Sequence, residues 1–253
     1  MLIFNDFCVI LKPMLEKSHA IVLHTLKYGD QKVVVEMFSR TWGRLSFIVT
    51  LPKSAKSPFR KQYFQPMTVL EVECDVRPRV ALQKLHDVRL LVPYTTIPLS
   101  PAKLSITLFI AEFLYYALRS EQRNEQLFDY IMDSMQWLDA APSHYANFHL
   151  TFLMRLSRFL GFYPNMETEG VSFFDLREGL FTSTVPTHQD YLAPAEARMI
   201  HLLMRMDYPT MHLFQLSQQD RGRILDVLMR YYKLHLPDFP DLRSLAVLHQ
   251  LWI

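Results

Sequence analysis

The pattern of hydrophobic and polar positions divides the chain into two parts. Between residues 18 and 92, short segments rich in β-branched and aromatic residues are separated by turn residues, which is typical of β-strands. The predicted strands are 18–26, 32–40, 44–52, 67–75 and 80–91. Five short strands in this span predict a small closed barrel of the OB type. An SH3-like barrel is the structural alternative.

After Pro93 the apolar residues recur with a helical period. Ser100 and Pro101 form an N-cap followed by proline at the first helical position, and Gly161 with Pro164 ends the third helix. Ser217 and Asp220 are close to a capping box. The predicted helices begin at 101, cover 125–139, run from after Pro142 to Leu160, and cover about 195–206 and 217–235.

A short hairpin interrupts the helices. Segments 171–176 and 180–183 are strand-like, and Gly179 lies in the turn between them. The predicted fold class is therefore α+β: an N-terminal five-stranded OB-fold barrel, followed by an α-helical domain with a small β-hairpin insert at about 165–190. We expect an N-terminal extension at 1–13, the barrel at 14–93 and the helical domain at 94–253.

Composition excludes several classes of protein. Half of the residues are apolar and only six are glycine, so the chain is a packed globular protein. No apolar run reaches the length that spans a bilayer, and the N-terminus lacks the basic region and cleavage site of a signal peptide. The two cysteines, Cys8 and Cys74, indicate free thiols in a reducing cytoplasm.

Charge is distributed unevenly along the chain. Residues 1–92 hold 14 Lys and Arg against 8 Asp and Glu, a balance of +6, whereas residues 93–253 hold 13 against 17, a balance of −4. Residues 40–61 contain six basic residues, three aromatic residues and no acid. A surface of this kind suits a polyphosphate backbone.

The basic stretch supplies the candidate nucleic-acid contacts. Arg and Lys neutralise phosphates, and aromatic rings offer a stacking face. The candidates are Arg40, Trp42, Arg44, Lys53, Lys56, Phe59, Arg60 and Lys61. Phe47 lies inside an apolar strand and is predicted to be core. A basic face that only aids solubility is the alternative. If all six cations met single-stranded DNA, the slope of log K against log salt would be about −4.

No motif for catalysis is visible. The chain has no phosphate-binding glycine loop, nucleophile elbow or H-E-x-x-H zinc motif, and its ten histidines are scattered. We therefore expect no enzymatic activity and no cofactor. A protein-interaction module whose basic loop is incidental remains the alternative to a nucleic-acid-binding protein. Arginines on apolar helices are candidates for an acidic, hydrophobic-ended peptide: Arg119, Arg123, Arg155 and Arg158.

The ordered set of segments resembles the RecO family of recombination and DNA-repair mediators. The similar segments are 21–49, the basic loop and fourth strand at 52–73, the helix end RLSRFLGFYPN at 155–165, and DLRSLAVL at 241–248. The resemblance implies an OB-fold domain followed by a helical domain. It also implies binding to single- and double-stranded DNA and annealing of complementary strands. With RecR, such a protein helps to load RecA onto DNA coated with single-strand-binding protein, whose acidic C-terminal tail is a further partner. The resemblance implies a cytoplasmic, nucleoid-associated location.

One departure from the family pattern concerns zinc. Many family members carry a four-cysteine zinc site after the third helix, but residues 165–189 contain no cysteine. We therefore predict no metal, with the hairpin held by Val171, Phe173, Leu180 and Phe181.

Overall fold

A computed structural model of the protein describes residues 15–51, 59–77, 79–165 and 173–251. The predicted extension at 1–13 lies outside these residues. Within them, no helix is long and apolar enough to cross a membrane.

The N-terminal part is a closed five-stranded barrel. Its strands are β1 (Glu16–Tyr28), β2 (Lys32–Ser39), β3 (Gly43–Thr50), β4 (Val69–Cys74) and β5 (Leu82–Val92). They close in the order β1-β2-β3-β5-β4, and β1 pairs with both β2 and β4. The β3–β5 pairing is parallel and the others are antiparallel. This order is that of an OB fold, so the sequence prediction is confirmed over the SH3-like alternative.

Alternation along the strands builds the barrel core. In β2, Val33, Val35 and Met37 are buried and alternate with more exposed residues, because successive side chains of a strand point to opposite faces. Phe47 of β3 is fully buried, as predicted. Cys74 is a buried free thiol, and burial raises the pKa of that thiol to about 12.

The C-terminal part is helical. Its helices are α1 (Pro101–Ala117), α2 (Glu125–Ala140), α3 (Phe148–Phe159), α4 (Pro194–Arg205), α5 (Gln218–His235) and α6 (Arg243–Leu251). The Ser100 hydroxyl accepts from the backbone N–H of Lys103, and Ser217 and Asp220 form the reciprocal capping box. The predicted starts of these two helices are confirmed.

Two helices differ from the prediction. Helix α3 begins at Phe148, later than predicted, because the Asn147 amide donates to the carbonyls of Met211 and Phe214 and ties the preceding segment to a distant turn. Helix α6 was not predicted. The Glu112 carboxylate accepts the backbone N–H groups of Arg243 and Ser244 at 3.0 and 2.8 Å and so caps its start.

The predicted hairpin is present as β6 (Phe173–Asp175) and β7 (Leu180–Thr182), and an unpredicted third strand, β8 (Tyr191–Leu192), pairs with β6. Val171 lies outside the described residues. Polar contacts also support this small sheet: His188 Nε2 lies 3.0 Å from Asp175 Oδ2, and Asp190 pairs with Arg177 and Arg230, each at 2.7 Å. The absence of zinc stays a prediction.

The barrel and the helices share one hydrophobic cluster. Ile21, Leu23 and Phe38 from the barrel pack in the same cluster as residues of every helix from α1 to α6. The rings of Phe38 and Phe128 lie 6.3 Å apart. The barrel is therefore seated on the helical part through β1 and β2.

Candidate nucleic-acid interface

The basic residues near the β2–β3 turn face the helical part. Arg40 Nε lies 2.9 Å from Asp129 Oδ1, and its Nη1 lies 2.9 Å from Glu125 Oε2. The hydrogen bond to Asp129 raises the pKa of the Arg40 guanidinium. Its positive charge is thus already matched by two carboxylates of α2.

Arg44 is enclosed between the barrel and α1. Its side chain is only 12% exposed; Nε lies 3.2 Å from Glu36 Oε2, and the guanidinium sits 4.7 Å above the Tyr115 ring while donating to the Tyr115 carbonyl. Its backbone N–H donates to the Glu121 carbonyl at 3.3 Å. These contacts fasten the turn to the helical part.

Trp42 completes this turn cluster, defined as Arg40, Trp42 and Arg44. The indole Nε1 donates to Glu16 Oε2 at 3.1 Å, and the ring packs on the barrel core. All three predicted contact residues at this end therefore have protein partners. A phosphate has to compete with the carboxylate partners of Arg40 and Arg44 in order to bind here.

The second group of predicted residues follows β3 in the chain. We call Lys53, Lys56, Phe59, Arg60 and Lys61 the loop cluster. Lys53 and Lys56 fall outside the described residues. Phe59 is partly buried against the barrel core. Arg60 and Lys61 are both exposed. The Arg60 guanidinium lies 5.8 Å from the Tyr63 ring centroid, and Lys61 begins the 3₁₀ turn Lys61–Phe64.

Strand β3 keeps the two clusters apart. It pairs along its length with β2, from Ser39↔Gly43 at the turn to Lys32↔Thr50 at the far end. Eight strand residues at about 3.3 Å each span roughly 25 Å. A nucleic acid that met both clusters would therefore run along the barrel.

The far end of the barrel carries two further cations. Lys27 and Lys32 flank the β1–β2 turn, and with Lys61 they line a cavity of about 670 Å³ that we call the barrel mouth. In the described part of the chain, none of these three ammonium groups forms an ion pair, although Asp30 also lines the mouth. Sequence reasoning missed Lys27 and Lys32 because each is isolated in the chain. The Tyr28-Gly29-Asp30 turn is the sequence signal that could have found them. It places Lys27 and Lys32 at the same end of the β1–β2 hairpin, where Tyr28 pairs with Lys32.

The arginines of the helical part are not equivalent. Arg155 donates twice to the Met206 carbonyl at 3.2 Å, and Arg123 pairs with Glu125. Arg119 and Arg158 are exposed and lie over the rings of Tyr116 and Tyr163, at 4.9 and 4.1 Å. Arg119 and Arg158 therefore keep donors that face solvent.

The exposed cations of the described barrel residues can neutralise the charge of a polyanion. Among the described residues, no group of three or more His, Cys, Asp or Glu side chains is placed to hold a metal ion. What the barrel end offers is exposed ammonium and guanidinium groups around a concave surface, which suits a phosphate backbone.

Comparison with known proteins gives one consistent result. The family model for the recombination protein O N terminal matches residues 14–94, and the model for the recombination protein O C terminal matches residues 98–246. A protein of Phocaeicola vulgatus named DNA repair protein RecO is 48% identical over 241 residues, which cover 94% of this chain and 100% of that protein. The protein of the same name from Bacteroides fragilis is 47% identical with the same coverage. The one from Porphyromonas gingivalis is 32% identical over 246 residues, again 94% of this chain and 100% of that protein.

Proposed function

This chain belongs to the RecO family of DNA repair proteins, and from that premise we propose that it is a non-enzymatic recombination mediator. It binds single- and double-stranded DNA, anneals complementary strands and, with RecR, helps to load RecA onto DNA coated with single-strand-binding protein. The observation that carries the proposal is the pair of exposed cations, Arg60 and Lys61, beside an OB-fold barrel.

Electrostatics supplies the mechanism. Two complementary strands repel each other through their phosphates, and each cation that meets a phosphate releases condensed counterions and lowers this repulsion. The loop cluster is suited to this role because its described cations are unpaired by carboxylates and lie at a barrel edge rather than in the core. No covalent step and no cofactor is required.

The proposed protein partners call for a different surface. The acidic C-terminal tail of the single-strand-binding protein needs exposed guanidinium groups next to apolar side chains. Arg119 and Arg158 meet the first requirement, whereas Arg155 and Arg123 are engaged within the protein. We propose that the mediator activity takes place in the cytoplasm, at the nucleoid.

The turn cluster is the weaker part of the proposed DNA surface. Arg40 and Arg44 can meet a phosphate only by giving up carboxylate or carbonyl partners in α1, α2 and β2. We therefore assign the main DNA contact to the loop cluster. The turn cluster, which includes Trp42, contributes less to DNA binding.

The test is a charge-removal series at the loop cluster. Replacing Lys53, Lys56, Arg60 and Lys61 with Ala should weaken binding to every sequence. It should also flatten the salt dependence by up to about 2.8 in slope, at roughly 0.7 per contact for single strands. A charge-preserving variant, with each Lys replaced by Arg and Arg60 by Lys, should bind as the parent does. An alanine variant that binds a labelled oligonucleotide as tightly as the parent contradicts the assignment.

A second candidate function is a protein-interaction module that does not bind DNA directly. An apolar cavity of about 350 Å³ between the 3₁₀ turn, β5 and α1 favours it, because Leu90, Leu104 and Leu108 are each about 40% exposed there. The same titrations separate the two candidates, since an interaction module shows no salt-dependent affinity for the oligonucleotide.

A further inference from the structure

Two exposed histidines of the helical part lie against each other. His144 belongs to the segment between α2 and α3, and His212 belongs to the 3₁₀ turn Met211–Leu213 that precedes α5. The centroids of the two imidazole rings are 5.1 Å apart, and the ring planes meet at 46°. Burial does not explain this contact, because both side chains are exposed to solvent.

The separation of the two rings is the one that a shared metal ion imposes. Bonds from zinc to imidazole nitrogen are about 2.0–2.1 Å long, and at tetrahedral angles they put two ring centres about 5 Å apart. Within the described part of the chain, no hydrogen bond or ion pair engages the imidazole of His144 or His212. No partner therefore fixes the tautomer of either ring, and rotation about χ2 can turn either nitrogen toward an ion.

The segments that carry the two histidines are fastened to each other. The Asn147 amide donates to the carbonyls of Met211 and Phe214, each at 2.9 Å, and so holds the segment before α3 against the 3₁₀ turn. His144 itself has φ +64°, a left-handed conformation that residues other than glycine rarely adopt and that recurs at ligand sites. An ion would therefore meet two ligands whose backbones are already placed, and little ordering entropy is lost on binding.

From this juxtaposition we infer that His144 and His212 bind one divalent transition-metal ion, with water in the remaining coordination positions. Two imidazoles favour zinc, nickel and copper(II), whereas magnesium and calcium require oxygen ligands. Among the described residues, no third His, Cys, Asp or Glu side chain completes the set, so the ion exchanges readily and is lost on dialysis. The site is separate from residues 165–189 and does not depend on the proposed DNA-binding function.

A bound ion would tie the segment before α3 to the turn before α5. The unfolded chain does not hold these two rings together, so the ion binds the folded chain in preference and stabilises it as its concentration rises. At a zinc concentration about 100-fold above Kd, we expect the thermal midpoint of the parent to rise by about 5 °C. Magnesium at the same concentration should leave the midpoint unchanged.

The test is a calorimetric titration of the untagged full chain, stripped with chelator and desalted, with zinc chloride. We expect one ion per chain. His144→Gln and His212→Gln should each weaken zinc binding by at least about tenfold, and the double variant should lose no more than either single variant, because both rings hold the same ion. His86→Gln/His201→Gln removes two exposed histidines elsewhere and should change the affinity by less than twofold.

Three results would overturn the inference. They are a parent that binds no zinc, a double variant His144→Gln/His212→Gln with parental affinity, and a control variant that loses as much affinity as the single variants. Losses of the two single variants that simply add in the double variant would show two separate ligands, and they would also overturn the shared ion. An unchanged urea midpoint without metal verifies that each variant is folded.

Discussion

The β2–β3 turn gives the sharpest prediction about how barrel and helices are joined. Gly43 has φ +71°, and a Cβ added there would lie 2.5 Å from the carbonyl carbon of Gln122 and 2.8 Å from the amide nitrogen of Arg123. Both are backbone atoms, so neither can yield by a side-chain rotation. Gly43→Ala must therefore push the turn away from the segment between α1 and α2, and we expect it to weaken the adjoining contacts of Arg44.

The magnitude has two parts. The left-handed dihedral costs an alanine about 1 kcal/mol. Moving the turn removes the hydrogen bond from the Arg44 N–H to Glu121 and strains the Arg44–Tyr115 contact, which adds about 2 kcal/mol. We expect Gly43→Ala to lower the free energy of unfolding by about 3 kcal/mol in urea titrations.

Gly29 offers a matched control. Its φ is +77°, but an added Cβ there meets nothing within 4 Å. Gly29→Ala should therefore show only the dihedral cost of about 1 kcal/mol. The difference between the two variants isolates the contact between the turn and the helical part. If Gly43→Ala proves no more destabilising than Gly29→Ala, the reasoning about this junction is refuted.

Three further predictions concern the helical part, the turn cluster and metal content. Asp139 accepts hydrogen bonds from the backbone N–H groups of three consecutive residues at 95–97. Asp139→Ala should therefore lower the free energy of unfolding by about 2–3 kcal/mol. Asp133 is an exposed residue of the same helix, and Asp133→Ala should lower it by less than about 0.5 kcal/mol. Burial alone would raise the pKa of Asp139, but these hydrogen bonds together lower it. The stabilisation that Asp139 gives to the folded state is therefore fully present above the usual carboxyl pKa near 4, and it is lost as the pH falls through the lowered pKa. An acid titration of the alanine variant should no longer show this loss of stability. Arg40→Ala should leave the salt slope of DNA binding within about 0.3 of the parent, because its charge is held by Asp129 and Glu125, and a drop near the full 0.7 would return this residue to the DNA surface. Elemental analysis of purified protein should find no stoichiometric zinc, and a ratio of one per chain would contradict the prediction.

Local signals explain what the sequence could predict about the fold. The five strands, the Ser100 cap and the capping box of α5 are set by residues within a few positions of one another, and the structure has each of them. The start of α6 depends on Glu112, more than 130 residues away in the chain. No local pattern carries such a contact, and for that reason this helix was missed.

The candidate site shows the same division. Positive charge in residues 40–61 is visible in the sequence, but the partners that neutralise Arg40 are 85 and 89 positions away in α2. Lys27 and Lys32 look isolated until the hairpin register and the 3₁₀ turn bring them to one cavity with Lys61. Whether a cation is available for DNA is thus a tertiary property, whereas the presence of the cation is a local one.

Strand annealing on DNA coated with the cognate single-strand-binding protein tests the proposed mediator function. Complementary labelled strands are coated, mixed with this protein, and followed by fluorescence transfer, with the coating protein either intact or lacking its acidic C-terminal tail. We expect faster annealing of bare strands and of strands coated with the intact protein, and we expect the gain on coated strands to be lost when the tail is removed. If annealing is no faster than without the protein, on bare and coated DNA alike, the proposed mediator function is contradicted.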